Sequence, residues 1–149
     1  MLENKNLIEI ILVDDNPNDA ELAIRALKKH NMANKMVHLK DGAEALEFIF
    51  GKNDSVEALV VQPKLILLDI KMPKVDGIEV LRKLKSDSRT KKIPVVVMTS
   101  SQEGKDMVES YNLGVNAYVV KPLDFHEFAN TVKEIGLFWI LINKIPDQA

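Results

Sequence analysis

The chain contains no cysteine. That excludes disulfide staples, thiolate metal sites and cysteine nucleophiles, and it is the usage a reducing compartment permits. An excess of either charge is also missing. Twenty basic against 22 acidic side chains leave a formal net charge of −2, so no global positive field draws the molecule to nucleic acid. Local basic runs, such as Lys28–Lys29 and Arg89 with Lys91 and Lys92, read as solvated helix or loop surface. Long apolar stretches are absent too. The longest run, Leu137–Ile142, is far too short to cross a bilayer, and Met1–Leu7 lacks the basic-then-apolar layout of a signal peptide. The expectation is a cytoplasmic protein with neither a membrane nor a nucleic-acid partner.

What is present is the material for one core. The chain has 149 residues and 46% hydrophobic side chains, and reads as a single domain over 1–149 with its core at about 7–135. Short apolar runs with little polar alternation occur at Ile8–Val13, Met36–Leu39, Leu65–Leu68, Val95–Met98 and Ala117–Val120. Strands covered on both faces have this composition. Between them lie helical patterns opened by caps: Asn16 before Pro17, then Asp41 with Glu44, Asp76 with Glu79, Ser100 with Glu103, and Asp124 with Glu127. Five strand–helix alternations predict a doubly wound α/β fold, a five-stranded parallel sheet with five helices on its two faces. Val56–Val61, inside the long connection Gly51–Lys64, is expected to add a turn or strand.

In such a sheet ligands bind outside the carboxyl ends of the strands. Asp14 and Asp15 follow the first strand, Asp69 the third, Thr99 and Ser100 the fourth, and Lys121 the fifth. Three carboxylates, hydroxyls and one ammonium therefore share an edge. Crowded carboxylates raise one another's pKa unless a cation joins them, and a hard cation with oxygen ligands, Mg²⁺, meets that need. A carboxylate facing Mg²⁺ and a lysine is a competent nucleophile for phosphoryl transfer.

The motifs V-D-D-N (Val13–Asn16), L-L-D-I-K-M-P (Leu67–Pro73), D-G (Asp76–Gly77), V-V-V-M-T-S (Val95–Ser100) and Y-V-V-K-P (Tyr118–Pro122) occur in order over nearly the whole chain. Together they resemble the signatures of response-regulator receiver domains. That resemblance implies a flavodoxin-like strand order, 2-1-3-4-5, and a phosphorelay role in which Asp69 accepts a phosphoryl group from a sensor histidine kinase. It implies Mg²⁺ held by Asp15 and Asp69 directly, by Asp14 through water, and by the backbone carbonyl of Lys71. Lys121 and Thr99 match the pair that contacts the phosphoryl group, Tyr118 matches the aromatic that changes rotamer with Thr99, and Lys121–Pro122 matches a bond usually cis in the family. Lys71 and Ser101 occupy the two variable positions that tune phosphoryl lifetime. Such a protein is not a turnover enzyme but promotes its own phosphorylation and dephosphorylation.

The C-terminal residues narrow the resemblance. Phe125, Phe128, Val132, Ile135, Trp139 and Ile142 form one helical stripe, and Leu137, Phe138, Ile140 and Leu141 make the extension, about 136–146, apolar all round. Such a tip invites a second copy, or else folds back on its own domain, with Gly136 interrupting or permitting the helix. The Phe138–Trp139 pair, the Ile145–Pro146 ending and the long Gly51–Lys64 connection resemble stand-alone regulators of phytochrome-type kinases. No helix-turn-helix pattern follows the domain, so output is expected through an unnamed protein target.

Other readings fit less well. A phosphatase of the haloacid dehalogenase type wants an aspartate two residues after its nucleophile, where this chain has Lys71. A flavodoxin-like electron carrier wants small hydroxyl residues where Asp14 and Asp15 stand, and no glycine-rich nucleotide loop exists. The remaining alternative is a receiver fold that docks partners without being phosphorylated. His30, His38 and His126 are scattered and read as ordinary surface or packing residues.

Overall fold

The structure is a computed structural model, and it describes residues 8–32, 34–51, 62–72 and 75–146. The strands are β1 (Ile10–Val13), β2 (Met36–Leu39), β3 (Leu65–Leu68), β4 (Val95–Thr99) and β5 (Ala117–Val120). They form one parallel sheet in the order β2-β1-β3-β4-β5. The helices are α1 (Pro17–Lys29), α2 (Gly42–Phe50), α3 (Gly77–Ser86), α4 (Gly104–Leu113) and α5 (Phe125–Gly136). The extra element expected at Val56–Val61 lies outside the described residues.

The period-two geometry of a strand explains why the runs are apolar without alternation. Ile11, Val13, Ile66, Leu68, Val95 and Val97 point to one face, where α2 and α3 cover them. Ile10, Leu12, Leu65, Leu67, Val96 and Met98 point to the other, beneath α1 and α5. Each face is a core, so both residues of every alternating pair must be apolar.

The caps hold at four of five helices. The Asn16 side chain accepts from the N–H groups of Asn18 and Asp19, Asp41 from Glu44, Asp76 from Glu79, and Asp124 from His126 and Glu127. The exception is α4. Its N-cap is Glu103, with no side-chain bond, rather than the expected Ser100. Ser101 takes over the organising role, its hydroxyl accepting the Glu103 N–H at 3.3 Å and donating to Asp106 at 2.6 Å.

The C-terminal stripe is also corrected. Gly136 has ordinary helical angles and does not break the chain's course; its lack of a side chain serves packing, since a Cβ there would meet Leu27 and Met32 at 2.9 Å. Beyond it Leu137–Ile142 forms a wider π-helical segment, closed by the Asn143 N–H bonding to the Phe138 carbonyl at 2.7 Å. The wider turn shifts the phase by about one residue. Ile140 is therefore the next buried apolar side chain after Ile135, while Ile142 stays exposed with Phe138 and Leu141. Leu137 and Trp139 fold back onto the α1–α5 core. Half the tip is covered by its own domain and half is not.

Candidate active site

All the strands run the same way, so the residues after β1, β3, β4 and β5 meet at one edge. Asp14, Asp15 and Asp69 each offer a carboxylate oxygen there, all within 4.8 Å of one another. Asp14 and Asp69 are buried and Asp15 is exposed. The Lys121 ammonium donates to Asp14 at 2.9 Å, Asp69 at 3.2 Å and Asp19 at 2.9 Å. Backbone donors complete the buried pair: the Asn16 N–H to Asp14 at 2.9 Å and the Lys71 N–H to Asp69 at 3.3 Å.

The electrostatics are unbalanced. Burial pushes the Lys121 ammonium toward its neutral form, but Asp69, Asp14 and Asp19 more than reverse this and leave its pKa above the ordinary lysine range. Burial also holds the Asp14 carboxyl above the usual carboxylate range, despite the bonds from Lys121 and Asn16. One ammonium shared among three carboxylates, with Asp15 beside them, does not neutralise the group. The donor set, oxygen only and short of positive charge, fits a hard divalent cation.

Close backbone approach fixes the chain's exit from β3. The Gly77 N–H donates to the Ile70 carbonyl at 2.8 Å. A Cβ on Gly77 would overlap the Asp69 carbonyl oxygen and lie 2.6 Å from the Ile70 Cα. The Asp76–Gly77 motif is thus a cap plus the only side chain small enough for α3 to start against this loop.

Thr99 is fully buried, and its hydroxyl oxygen accepts the Ser101 N–H at 3.2 Å. The half-buried Tyr118 donates its hydroxyl to the Ser101 carbonyl at 3.2 Å. Burial raises the Tyr118 pKa, so the phenol is a neutral donor at physiological pH. The Lys71 ammonium turns outward to Asp106 at 3.4 Å and Glu103 at 3.7 Å. Bonding from Ser101 holds the Asp106 carboxyl below its usual range.

No described peptide bond is cis, so Lys121–Pro122 is trans, contrary to expectation. Trans is the favoured isomer for most X–Pro bonds, and here the lysine reaches three carboxylates from it. The sequence pattern did not single out Asp19, an acid in the first turn of α1, where acids commonly complement the helix dipole. It also passed over His38, whose Nε2 lies 2.9 Å from the Asp14 carbonyl oxygen at the end of β2.

Residues 10–133 match the response regulator receiver domain. The chain belongs to that family. As a receiver domain it is a phosphoacceptor component of two-component signalling, a class that works with histidine kinases. It is 37% identical over its full 149 residues to the probable methanogenesis regulatory protein FilR2 of Methanothrix harundinacea, covering 94% of that protein. It is 35% identical to the response regulator Rcp1 of Synechocystis, over 92% of each chain. The crystal structure of the phosphorylated cyanobacterial phytochrome response regulator RcpA superimposes with a TM-score of 0.84 at 37% identity, covering 94% of this chain and 99% of that one. The Mn²⁺-bound form of Rcp1 superimposes with a TM-score of 0.82 at 34% identity, covering 93% of this receiver domain and 99% of that chain. A divalent cation at the acidic edge accords with that neighbour. No helix among the described residues is long and apolar enough to cross a membrane.

Proposed function

We propose that Asp69 is the residue that accepts the phosphoryl group, and that Mg²⁺ is the cation that joins it. The observation that carries this reading is the meeting of Asp14, Asp15 and Asp69 within 4.8 Å, with Lys121 bonded to two of them. An oxygen of Asp69 attacks the phosphorus of a kinase phosphohistidine. The N–P bond breaks, its electron pair stays on the imidazole, and an aspartyl phosphate results. Asp15, Asp69 and the Lys71 carbonyl are the candidate metal ligands, with Asp14 acting through water. Mg²⁺ there supplies neutralisation of the entering phosphoryl oxygens. Lys121 balances a further oxygen by charge, and the Thr99 hydroxyl is the proposed donor to another. The same groups assist phosphorylation from small donors and the return hydrolysis.

The switch follows from charge. Phosphorylation adds about −1.5 to −2 charges and three acceptor oxygens at Asp69. The Thr99 hydroxyl accepts the Ser101 N–H, so a shift of Thr99 toward those oxygens pulls on the Ser101 backbone and on the carbonyl that Tyr118 holds. The face around α4, β5 and α5 changes for its protein target. A phytochrome-type kinase is the proposed donor, by likeness to RcpA.

The unit is a single receiver domain with a C-terminal extension. Its uncovered Phe138, Leu141 and Ile142 form the proposed homodimer face. Leu141→Ser should lower the sedimentation-derived association constant without changing unfolding of the monomer. Equal association by both proteins removes that face from the dimer.

The primary test is intact mass after incubation with acetyl phosphate and Mg²⁺. A single phosphoryl adduct, lost in Asp69→Asn and without metal, is expected. No adduct in a folded protein would favour phosphorylation-independent docking.

A further inference from the structure

Ser101 and Asp106 tie together parts of the molecule that the phosphorylation chemistry requires to move. The Ser101 N–H holds the Thr99 hydroxyl oxygen, its carbonyl holds the Tyr118 hydroxyl, and its own hydroxyl donates to Asp106 at 2.6 Å. Asp106 is buried although it lies in the first turn of α4, and its carboxylate also draws the Lys71 ammonium to 3.4 Å. Lys71 begins beside the reacting carboxylate, since its N–H donates to Asp69. Its flexible stem gives the ammonium two destinations, outward to Asp106 and Glu103 or inward over Asp69.

Resting on the assignment of Asp69 as phosphoacceptor, we infer that Asp106 is a positioning residue that keeps the Lys71 ammonium off the phosphoryl group and thereby shortens the life of the aspartyl phosphate. Hydrolysis needs a water oxygen in line with the phosphorus, opposite the Asp69 oxygen. As the new P–O bond forms, the bond to Asp69 breaks, its electron pair returns to the carboxylate, and the water's proton leaves with inorganic phosphate or solvent. A lysine drawn over the phosphoryl oxygens obstructs that approach. A lysine held by Asp106 and Glu103 leaves it open. Ser101 couples the same carboxylate to Thr99 and Tyr118, so the path of water and the state of the switch share one anchor.

The test is the hydrolysis rate of protein phosphorylated with acetyl phosphate and Mg²⁺, followed by intact mass after donor removal. Asp106→Asn keeps an acceptor for Ser101 but drops the charge that holds Lys71. It should lengthen the adduct's life by roughly three- to fivefold, the range a half-exposed ion pair can redistribute. Lys71→Ala should abolish that difference, so that Lys71→Ala and the double variant decay alike, and Asp106→Glu should restore the faster rate. A merely structural role would lower the unfolding midpoint without this dependence on Lys71. Glu103→Gln, at an exposed carboxylate 3.7 Å from Lys71, should slow decay by a smaller factor and keeps the test open if Asp106→Asn does not fold. An unchanged lifetime in every variant that folds, or an Asp106 effect that persists without Lys71, overturns the inference. Failure of the wild type to form any adduct would instead overturn the assignment of Asp69.

Discussion

Gly77 shows how a single residue sets the geometry of the edge. Adding one methyl places a carbon against the Asp69 carbonyl and the Ile70 Cα, both backbone atoms that have no rotamer to yield. Gly77→Ala should cost about 1–3 kcal/mol or more, the range for overpacking a closed site, and should slow phosphorylation because α3 is displaced from the loop after Asp69, the proposed phosphoacceptor. Gly104 makes the opposite case. Nothing lies within 4 Å of a Cβ there, and it opens α4 without a positive φ. Gly104→Ala should stabilise by about 0.5–1 kcal/mol, through the unfolded chain's lost freedom. Urea denaturation of both variants checks the pair: a common sign would show that local space does not decide the outcome. Asp14 and Asp15 differ in the same residue-by-residue way. Neighbours in sequence at the end of β1, they differ in burial: Asp14 is buried against Lys121, while Asp15 is exposed.

Between α3 and β4 the connection is held by a lysine. Lys85 extends back from the last turn of α3, and its ammonium donates to the carbonyls of Lys91 at 3.1 Å and Ile93 at 2.9 Å, with Asn116 at 3.4 Å. Burial lowers its pKa to about 8 from the ordinary 10.5. Below pH 8 it is charged in both the folded and unfolded states, and the folded protein carries the whole burial cost. Between about 8 and 10.5 the unfolded chain binds the proton that the folded one has released, so stability contributed by this residue rises with pH. Wild type should therefore gain stability relative to Lys85→Arg from pH 8 to pH 10 in urea titrations. Parallel pH profiles would mean that the carbonyl acceptors hold the ammonium at its ordinary pKa. The elements themselves were legible because each strand must serve two cores, so Ile8–Val13 and Val95–Met98 announce themselves by composition. The π-helical end was not, since a 3.6-residue period puts Ile142 where the wider turn puts Ile140. The α4 cap was missed for a related reason: Ser100 has the right spacing, but the Ser101–Asp106 bond sets where the helix begins.

Across the whole molecule, the acidic edge exists only when the chain is folded. Asp14 and Asp15 leave β1, Asp69 leaves β3 and Lys121 leaves β5, and β4 separates the last two in the sheet. Their spacing in sequence carries no hint of 4.8 Å; the strand order supplies it, and the parallel alternation is what brings Asp14, Asp15 and Asp69 to one edge with Lys121. Asp19 and Asp106 escaped because each looks like a solvated helix-start acid until its partner arrives from another loop. A cation that binds this edge and not the unfolded chain must raise stability, by about 2.7 kcal/mol when present at a hundred times its dissociation constant. Asp15 separates the two sides of that linkage. It is exposed and outside the lysine's bonds, so without metal its charge only adds to the repulsion. Asp15→Asn should stabilise the metal-free protein by about 0.5 kcal/mol, within the usual worth of an exposed charge interaction. The same change should remove most of the Mg²⁺-induced rise in melting temperature, measured by calorimetry with and without chelator. A variant that loses metal-free stability yet keeps the full metal response would show that Asp15 braces the fold and that the cation is held by Asp14 and Asp69 without it.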